Sequence, residues 1–445
     1  MSYFKSTFTL FAGTLMIAGV MAGCSGGGGD ENSEASGGSG GDSEEPVTLT
    51  MLSSETENLN GIEAVAEAAE EELNISLEIE QRPAGPEGEN VVKTRLATQD
   101  MTDLVSFNSG ALLQTINPEQ NFVDLTDEPY MDRIMDDYKQ TVMTNDKVYG
   151  VPANSSQVGG WMYNKKVYEE LDLEIPRTWD ELMENNEVIK EAGKTAVIGS
   201  YSETWTAQLP LLADFYNVQV EEPDFAEQYT AGEAKFADTP AALRGFEKLE
   251  DVGEAGGDFL NEDYNATTYN QGMEMLSTGE GVHYPMLSQV LPIMEENYPD
   301  TIEDIGVFPQ PGDSADSNGF TVWMPGAFLI NNKSENIEAA KDWLEFFISE
   351  EGLEIYASAV KNIGPFVVEG VEMPDDAYEA VKEMQPYFDE GNTAPGLEFV
   401  SPIKGANLPQ ISTEVGGGIR SAEEAAKMYD DDAKKQANQL GIDGW

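Results

Sequence analysis

Apolar and polar positions fall into three successive regimes along the chain. Residues 8–22 form a mostly apolar run of 15 residues behind the single Lys5, short of the ~20 needed to span a bilayer. Such a charged n-region and apolar h-region predict a secretory signal, not a membrane helix. Residues 25–46 contain 19 Gly, Ser, Asp or Glu out of 22. Nothing there can bury apolar area, which predicts a flexible tether. From Val47 the pattern becomes regular: Val47-Thr48-Leu49-Thr50-Met51-Leu52 predicts a strand, and Ile62, Val65, Ala66, Ala69 and Leu73 recur at helical spacing. Ile75, Leu77 and Ile79 predict a second strand, residues 91–97 a helix, and Asp103-Leu104-Val105-Ser106-Phe107 a third strand. Further strands are expected at Val148-Tyr149-Gly150-Val151-Pro152, around Trp161-Met162-Tyr163, at Val197-Ile198-Gly199 and at Ala327-Phe328-Leu329-Ile330. Thr178 with Glu181 forms a capping box that opens a helix. Ser334 is expected to begin the helix carrying Ile337, Ala340, Trp343, Leu344 and Phe347, and residues 421–440 a polar amphipathic one. Strand–helix alternation of this length predicts an α/β fold.

Cysteine usage sharpens the first regime. Cys24 is the sole cysteine, so no intramolecular disulfide can form. Val20-Met21-Ala22-Gly23-Cys24 resembles a bacterial lipobox, with Met21 where Leu is usual. That resemblance implies cleavage after residue 23 and lipidation of Cys24, hence a protein anchored on the extracellular face of the cell membrane. The alternative is an ordinary cleaved signal. Gly37-Gly38-Ser39-Gly40-Gly41 matches the hydrolase elbow only formally, because no strand precedes it and no helix follows.

Composition removes several function classes. With 83 Asp+Glu against 24 Lys+Arg the net charge is −59. Nucleic-acid binding needs a basic surface and is excluded; contact with an anionic membrane is left to the lipid anchor alone. A hydrophobic content of 40% is too high for a disordered acidic chain. One histidine and one cysteine leave no His/Cys metal cluster and no Cys–His nucleophile, and no Walker or dinucleotide loop is present. Asp313, Asp316, Asn318 and Gly319 lack the ligand alternation of a calcium loop. No cofactor, metal or catalytic residue is therefore assigned.

Several motifs occur in a familiar order. Lys147-Val148-Tyr149-Gly150-Val151-Pro152, Tyr163-Asn164-Lys165 and Pro176-Arg177-Thr178-Trp179-Asp180-Glu181-Leu182 are followed by Gly279-Glu280-Gly281, Ile305-Gly306-Val307-Phe308-Pro309 and Gly352-Leu353. Together they resemble the extracellular solute-binding proteins of the family that includes maltose-binding protein, over essentially all of residues 47–445. The resemblance implies a bilobal periplasmic-binding-protein-like fold, two discontinuous α/β domains joined by hinge strands. Crossings are expected near residues 157, 318 and 368, giving lobes of 47–157 plus 319–368 and 158–318 plus 369–445. It further implies a monomer that captures a solute, for most relatives a carbohydrate, and delivers it to the permease subunits of an ABC importer. A secreted glycoside hydrolase using two carboxylates and a non-transport surface lipoprotein remain open.

Sugar binding needs aromatic faces for the rings and planar polar groups for the hydroxyls, carried on loops at strand C-termini. Glu55, after the first strand, falls where relatives place a hydroxyl-binding carboxylate, or is a solvated turn residue. Asn108, after the third strand, is a ligand contact or a loop cap. Gln157 stands where relatives carry a polar contact, and Trp161 shares a strand face with Tyr163, toward ligand or core. Trp205 resembles the family's aromatic stacker and Glu203 its carboxylate neighbour; a Trp beside a carboxylate in a polar loop is poorly explained by packing. His283 and Tyr284 follow the Gly279 motif, with a structural role open for His283 and no Trp later in that loop. Trp323 and Asn362 lie near the returning hinge. Trp179 and Trp343 are read as core. The dispersed acidity suggests a halophilic or alkaliphilic habitat, where a carboxylate coat is screened or aids solubility.

Overall fold

The computed structural model describes residues 47–253, 256–371 and 373–445. The apolar leader, Cys24 and the tether lie outside these residues. No helix among the described residues is long and apolar enough to cross a membrane.

Strand β1 (Val47–Ser54) buries Leu49, Met51 and Leu52 completely or nearly so, because it runs through the middle of a sheet. It pairs in parallel with β2 (Ile75–Arg82) from Val47↔Ile75 to Ser54↔Arg82, and with β3 (Leu104–Phe107) at Met51↔Leu104. Helix α1 (Asn60–Leu73) makes the first crossover, burying Ile62, Val65 and Ala69, and ends at Asn74 in the left-handed region. Asparagine tolerates that conformation better than most residues. Helix α2 (Gly85–Thr98) makes the second crossover. Two more strands complete this sheet, β4 (Gly150–Pro152) and, returning from far along the chain, a strand at Ala327–Ile330 antiparallel to β3.

The second sheet is built on β5 (Gln157–Asn164). Its neighbours in chain order are β6 (Thr195–Val197), β7 (Gly281–Leu287), β8 (Ile305–Pro309), β9 (Phe320–Trp323) and, after the first-sheet strand β10 (Ala327–Ile330), β11 (Thr393–Pro395). Strand β5 is antiparallel to β7 on one side; on the other it pairs with β9 at its start and β8 along the rest. The strand orders are thus β2-β1-β3-β10-β4 and β11-β9-β5-β7-β6 with β8 on β5. These are two α/β lobes sharing one interrupted chain.

The strand memberships place the passages between lobes. The chain leaves the first sheet at Pro152 and enters the second at Gln157. Phe320–Trp323 pairs with β5 and not with the first sheet, so the return occurs at 324–326, later than the expected 318. The reason is pairing: Thr321, Val322 and Trp323 take Gly159, Val158 and Gln157 as partners. Val368 still bridges Ile134 of the first lobe, whereas the helix Glu379–Asp389 serves the second, its Glu383 accepting from Val307 N at 2.8 Å.

Local signals play out unevenly. Thr178 and Glu181 make the expected capping box at the head of α3 (Trp179–Glu191). Ser334 does not start the next helix: α4 runs Ile337–Phe347 behind Asn336. The Ser334 hydroxyl instead donates to Asp103 Oδ1 at 2.5 Å, tying the loop to the start of β3. Trp179 and Trp343 are buried in their lobes, Trp343 edge-on to Phe328 at 5.6 Å. The last helix, α5 (Ala422–Leu440), turns five buried alanines inward. Such small side chains let the helix seat closely on its neighbours.

Candidate functional site: the interlobe cleft

Parallel pairing brings the C-terminal ends of β1, β2 and β3 to one edge of the first sheet, where Ser54 neighbours Arg82, and Phe107 neighbours Ala327 and, beyond it, Pro152. In the second sheet Gln157, Trp323, Leu287 and Pro395 share one edge. The short segments 153–156 and 324–326 connect these two edges directly, so the edges face each other across a cleft. The crossings are pinned. Ala153 N donates to Gly326 O at 2.9 Å, and Ser156 donates to Pro365 O through both N (3.0 Å) and Oγ (2.7 Å). A Cβ at Gly364 would lie 2.4 Å from Ser156 O, so only glycine allows this approach.

On the first-lobe wall Glu57 turns back toward the sheet. It accepts hydrogen bonds from Ser53 Oγ at 2.5 Å and Ser106 Oγ at 2.8 Å. Arg82 lies beside it, donating from Nη2 to Ser106 O at 3.3 Å and standing 5.5 Å from the Phe107 ring centre. Burial lowers the Arg82 pKa, with the neighbouring Glu57 and Glu89 opposing; its Nε is buried without a partner. Asn108 is exposed at the end of β3, and the Ser109 hydroxyl beside it is buried without a partner. Glu55 is exposed and braces the next loop, accepting from Ala84 N at 3.3 Å.

The second-lobe wall carries the aromatics. Trp205 packs edge-to-face on Tyr269 with centroids 5.4 Å apart, both half-buried. Glu203 accepts from Tyr269 N at 2.9 Å, at the first turn of the helix Tyr269–Thr278. Burial pushes the Tyr269 hydroxyl up to about 12, and that hydroxyl has no partner. Trp323, half-buried, lies against Gly159, where a Cβ would come within 2.5 Å of its ring, and it pairs on the strand with the half-buried Gln157. Asn362, 4% exposed, leaves both its amide oxygen and nitrogen unpartnered. Buried polar atoms without partners call for water or a ligand. The lobes touch at one end of the cleft: Thr393 Oγ1 donates to Asp137 Oδ2 at 3.0 Å, and Gly110 (φ 71°) abuts Phe399.

A family model described as bacterial extracellular solute-binding protein matches residues 53–354, more than half of the chain. The chain belongs to that family. A multiple sugar-binding protein of Streptococcus mutans is 25% identical over 298 residues, covering 64% of this chain and 67% of that one. Among solved structures, the apo form of RafE from Streptococcus pneumoniae superposes with a TM-score of 0.74 at 20% identity, covering 88% of this chain and 99% of its own. RafE in complex with raffinose gives 0.65 at 20% identity, covering 87% and 100%.

Three residues expected to hold ligand in this solute-binding protein are instead core. Trp161 is fully buried, stacked on Phe308 at 6.3 Å and edge-on to Trp179 at 6.1 Å, with Nε1 donating to Gln310 at 2.5 Å. It does share a face with Tyr163, but helix α3 covers that face. His283 is fully buried between Tyr168 Oη (2.6 Å) and Asn186 Oδ1 (2.8 Å), and burial lowers its pKa to about 3. The neutral ring donates from Nδ1 and accepts at Nε2. Tyr284 is buried on the opposite face with its hydroxyl 2.7 Å from Ser200 Oγ, its ring against Gly272. The sequence misses Glu57, Arg82, Ser109 and Tyr269. Only Tyr269 had a usable signal: Thr268 and Gln271 form a capping box that fixes it on the first helical turn. Among the described residues no group of three or more His, Cys, Asp or Glu could hold a metal ion.

Proposed function

We propose that this protein is the carbohydrate receptor of an ABC importer, held at the extracellular face by lipid on Cys24, which closes on a sugar and passes it unaltered to the permease subunits. It acts as a monomer and catalyses no reaction. The observation that carries this reading is the opposition of two walls. The Trp205–Tyr269 pair with Glu203 offers ring stacking and a hydroxyl acceptor, across from Glu57, Arg82 and Asn108. Gln157, Trp323 and Asn362 lie at the hinge side, with Glu55 at the rim of the first wall. The relatives support this reading, one being a multiple sugar-binding protein and another a complex with raffinose.

The test is a calorimetric screen over mono-, di- and oligosaccharides, polyols and amino acids, with small-angle scattering on the best ligand. Binding of a sugar with compaction and without product formation is the expected result. Trp205→Ala should weaken that binding by more than ~1 kcal/mol, an aromatic's usual share. Sugar release by the purified protein would favour a glycoside hydrolase, and a ligand-insensitive scattering curve a structural lipoprotein.

A further inference from the structure

The first sheet has a second polar site at its opposite end. Phe107↔Ala327 marks the cleft edge and Leu104↔Ile330 the far edge. Beyond the far edge lies a cavity of about 370 Å³ between the last turn of α2, the loop around Ile116 and residues 331–333. That volume lies within the range of small-molecule sites. Its polar lining is Thr115, six carboxamides and two lysines, with no carboxylate. In a chain with 83 acids to 24 bases, this inverts the charge of the surrounding surface.

The walls are fixed before anything binds. Asn332 Nδ2 donates to Gln120 O at 2.7 Å and Asn331 Nδ2 to Met101 O at 3.2 Å, tying the loop after β10 to the loops beneath it. What remains unsatisfied points to an occupant. Asn332 Oδ1 is buried without a partner and can only accept. Among the described residues the Lys333 ammonium has no hydrogen bond or ion pair, and Lys93 has only a 3.7 Å contact with Glu89 one turn away. Leu96 and Ile116 supply an apolar floor.

We infer that this cavity binds a small hydroxylated anion, a sugar acid or a polyol phosphate. Lys93 and Lys333 hold its oxyanion, Asn332 Oδ1 accepts from a hydroxyl, and its carbon skeleton lies over Leu96 and Ile116. The site is separate from the cleft and does not depend on what the cleft carries.

Calorimetric titration of the purified protein at constant ionic strength with D-gluconate, glycerol 3-phosphate and sulfate tests this. Gluconate or glycerol 3-phosphate should bind, and sulfate, which has no hydroxyl for Asn332, more weakly. Lys333→Glu should reduce affinity by about tenfold or more, as expected for reversing one charge-assisted contact, and Lys93→Gln severalfold. Lys333 is exposed, so an unchanged melting temperature would show the variant intact. Trp205→Ala, in the cleft, should leave this affinity as it was. Absence of binding by both organic anions, equal binding of sulfate, an unaltered Lys333→Glu affinity or loss of binding in Trp205→Ala would each overturn the assignment.

Discussion

At the scale of single residues, Trp205 and Glu203 remain candidates for the site because the structure leaves both only half-buried. Trp205 packs against the margin of the core and edge-to-face on Tyr269, half-buried. Glu55 and Glu57 were indistinguishable on a line of text. The structure separates them because Ser53 and Ser106 present two hydroxyls to Glu57 and none to Glu55. His283 shows the reverse case, a polar residue absorbed by the core. Its pKa of about 3 lies below the ordinary 6.5 because burial disfavours the imidazolium. Between those values the unfolded chain takes up a proton that the folded chain refuses. Its contribution is therefore complete above pH 6.5 and lost as pH falls, by up to ~1.4 kcal/mol per unit. The expected outcome is a fall in denaturant midpoint between about pH 7 and about pH 5 that is flatter in His283→Gln. Equal slopes in the two proteins would exclude His283 as the source.

At the scale of elements, signals closed within four residues were legible and signals needing a distant partner were not. The capping box of α3 depends only on Thr178 and Glu181, which satisfy each other's backbone donors. Thr178→Ala should cost about 1 kcal/mol of stability, read by denaturant unfolding, with ligand affinity unaffected because the helix head lies away from the cleft residues. A loss of affinity without loss of stability would contradict that. Ser334 looked equally like a cap, yet Asp103, far away in sequence, captured its hydroxyl. The strand Phe320–Trp323, just past the expected crossing near 318, pairs in the second sheet for the same kind of reason: its partner on β5 is invisible along the chain. Gly364 carries no local signal at all, and its role appears only when Ser156 is brought against it.

At the scale of the whole molecule, the net charge of −59 acts on everything at once. The ion pairs that form are mostly at the surface, such as Arg95–Glu80 at 2.6 Å and Lys361–Glu295 at 2.9 Å, and exposed pairs contribute little. With too few cations to go round, most carboxylates repel one another. The screening length shrinks from ~30 Å at 0.01 M salt to ~3 Å at 1 M, so the melting temperature should rise across that range. A flat or falling profile would remove the halophilic reading and leave an alkaline habitat as the account of the acidity. The cavity beside Lys333 is the local exception to this field.

Periodicity and local chemistry were enough to determine the α/β class, the capping box at Thr178 and the family, because each rests on residues near one another or on motifs in fixed order. Which side chains reach the cleft was decided by tertiary structure alone. A strand shows alternation but not which face a helix will cover, so Trp161, His283 and Tyr284 went to the core. Glu57, Arg82 and Tyr269 became candidates only when separate segments converged at the facing sheet edges.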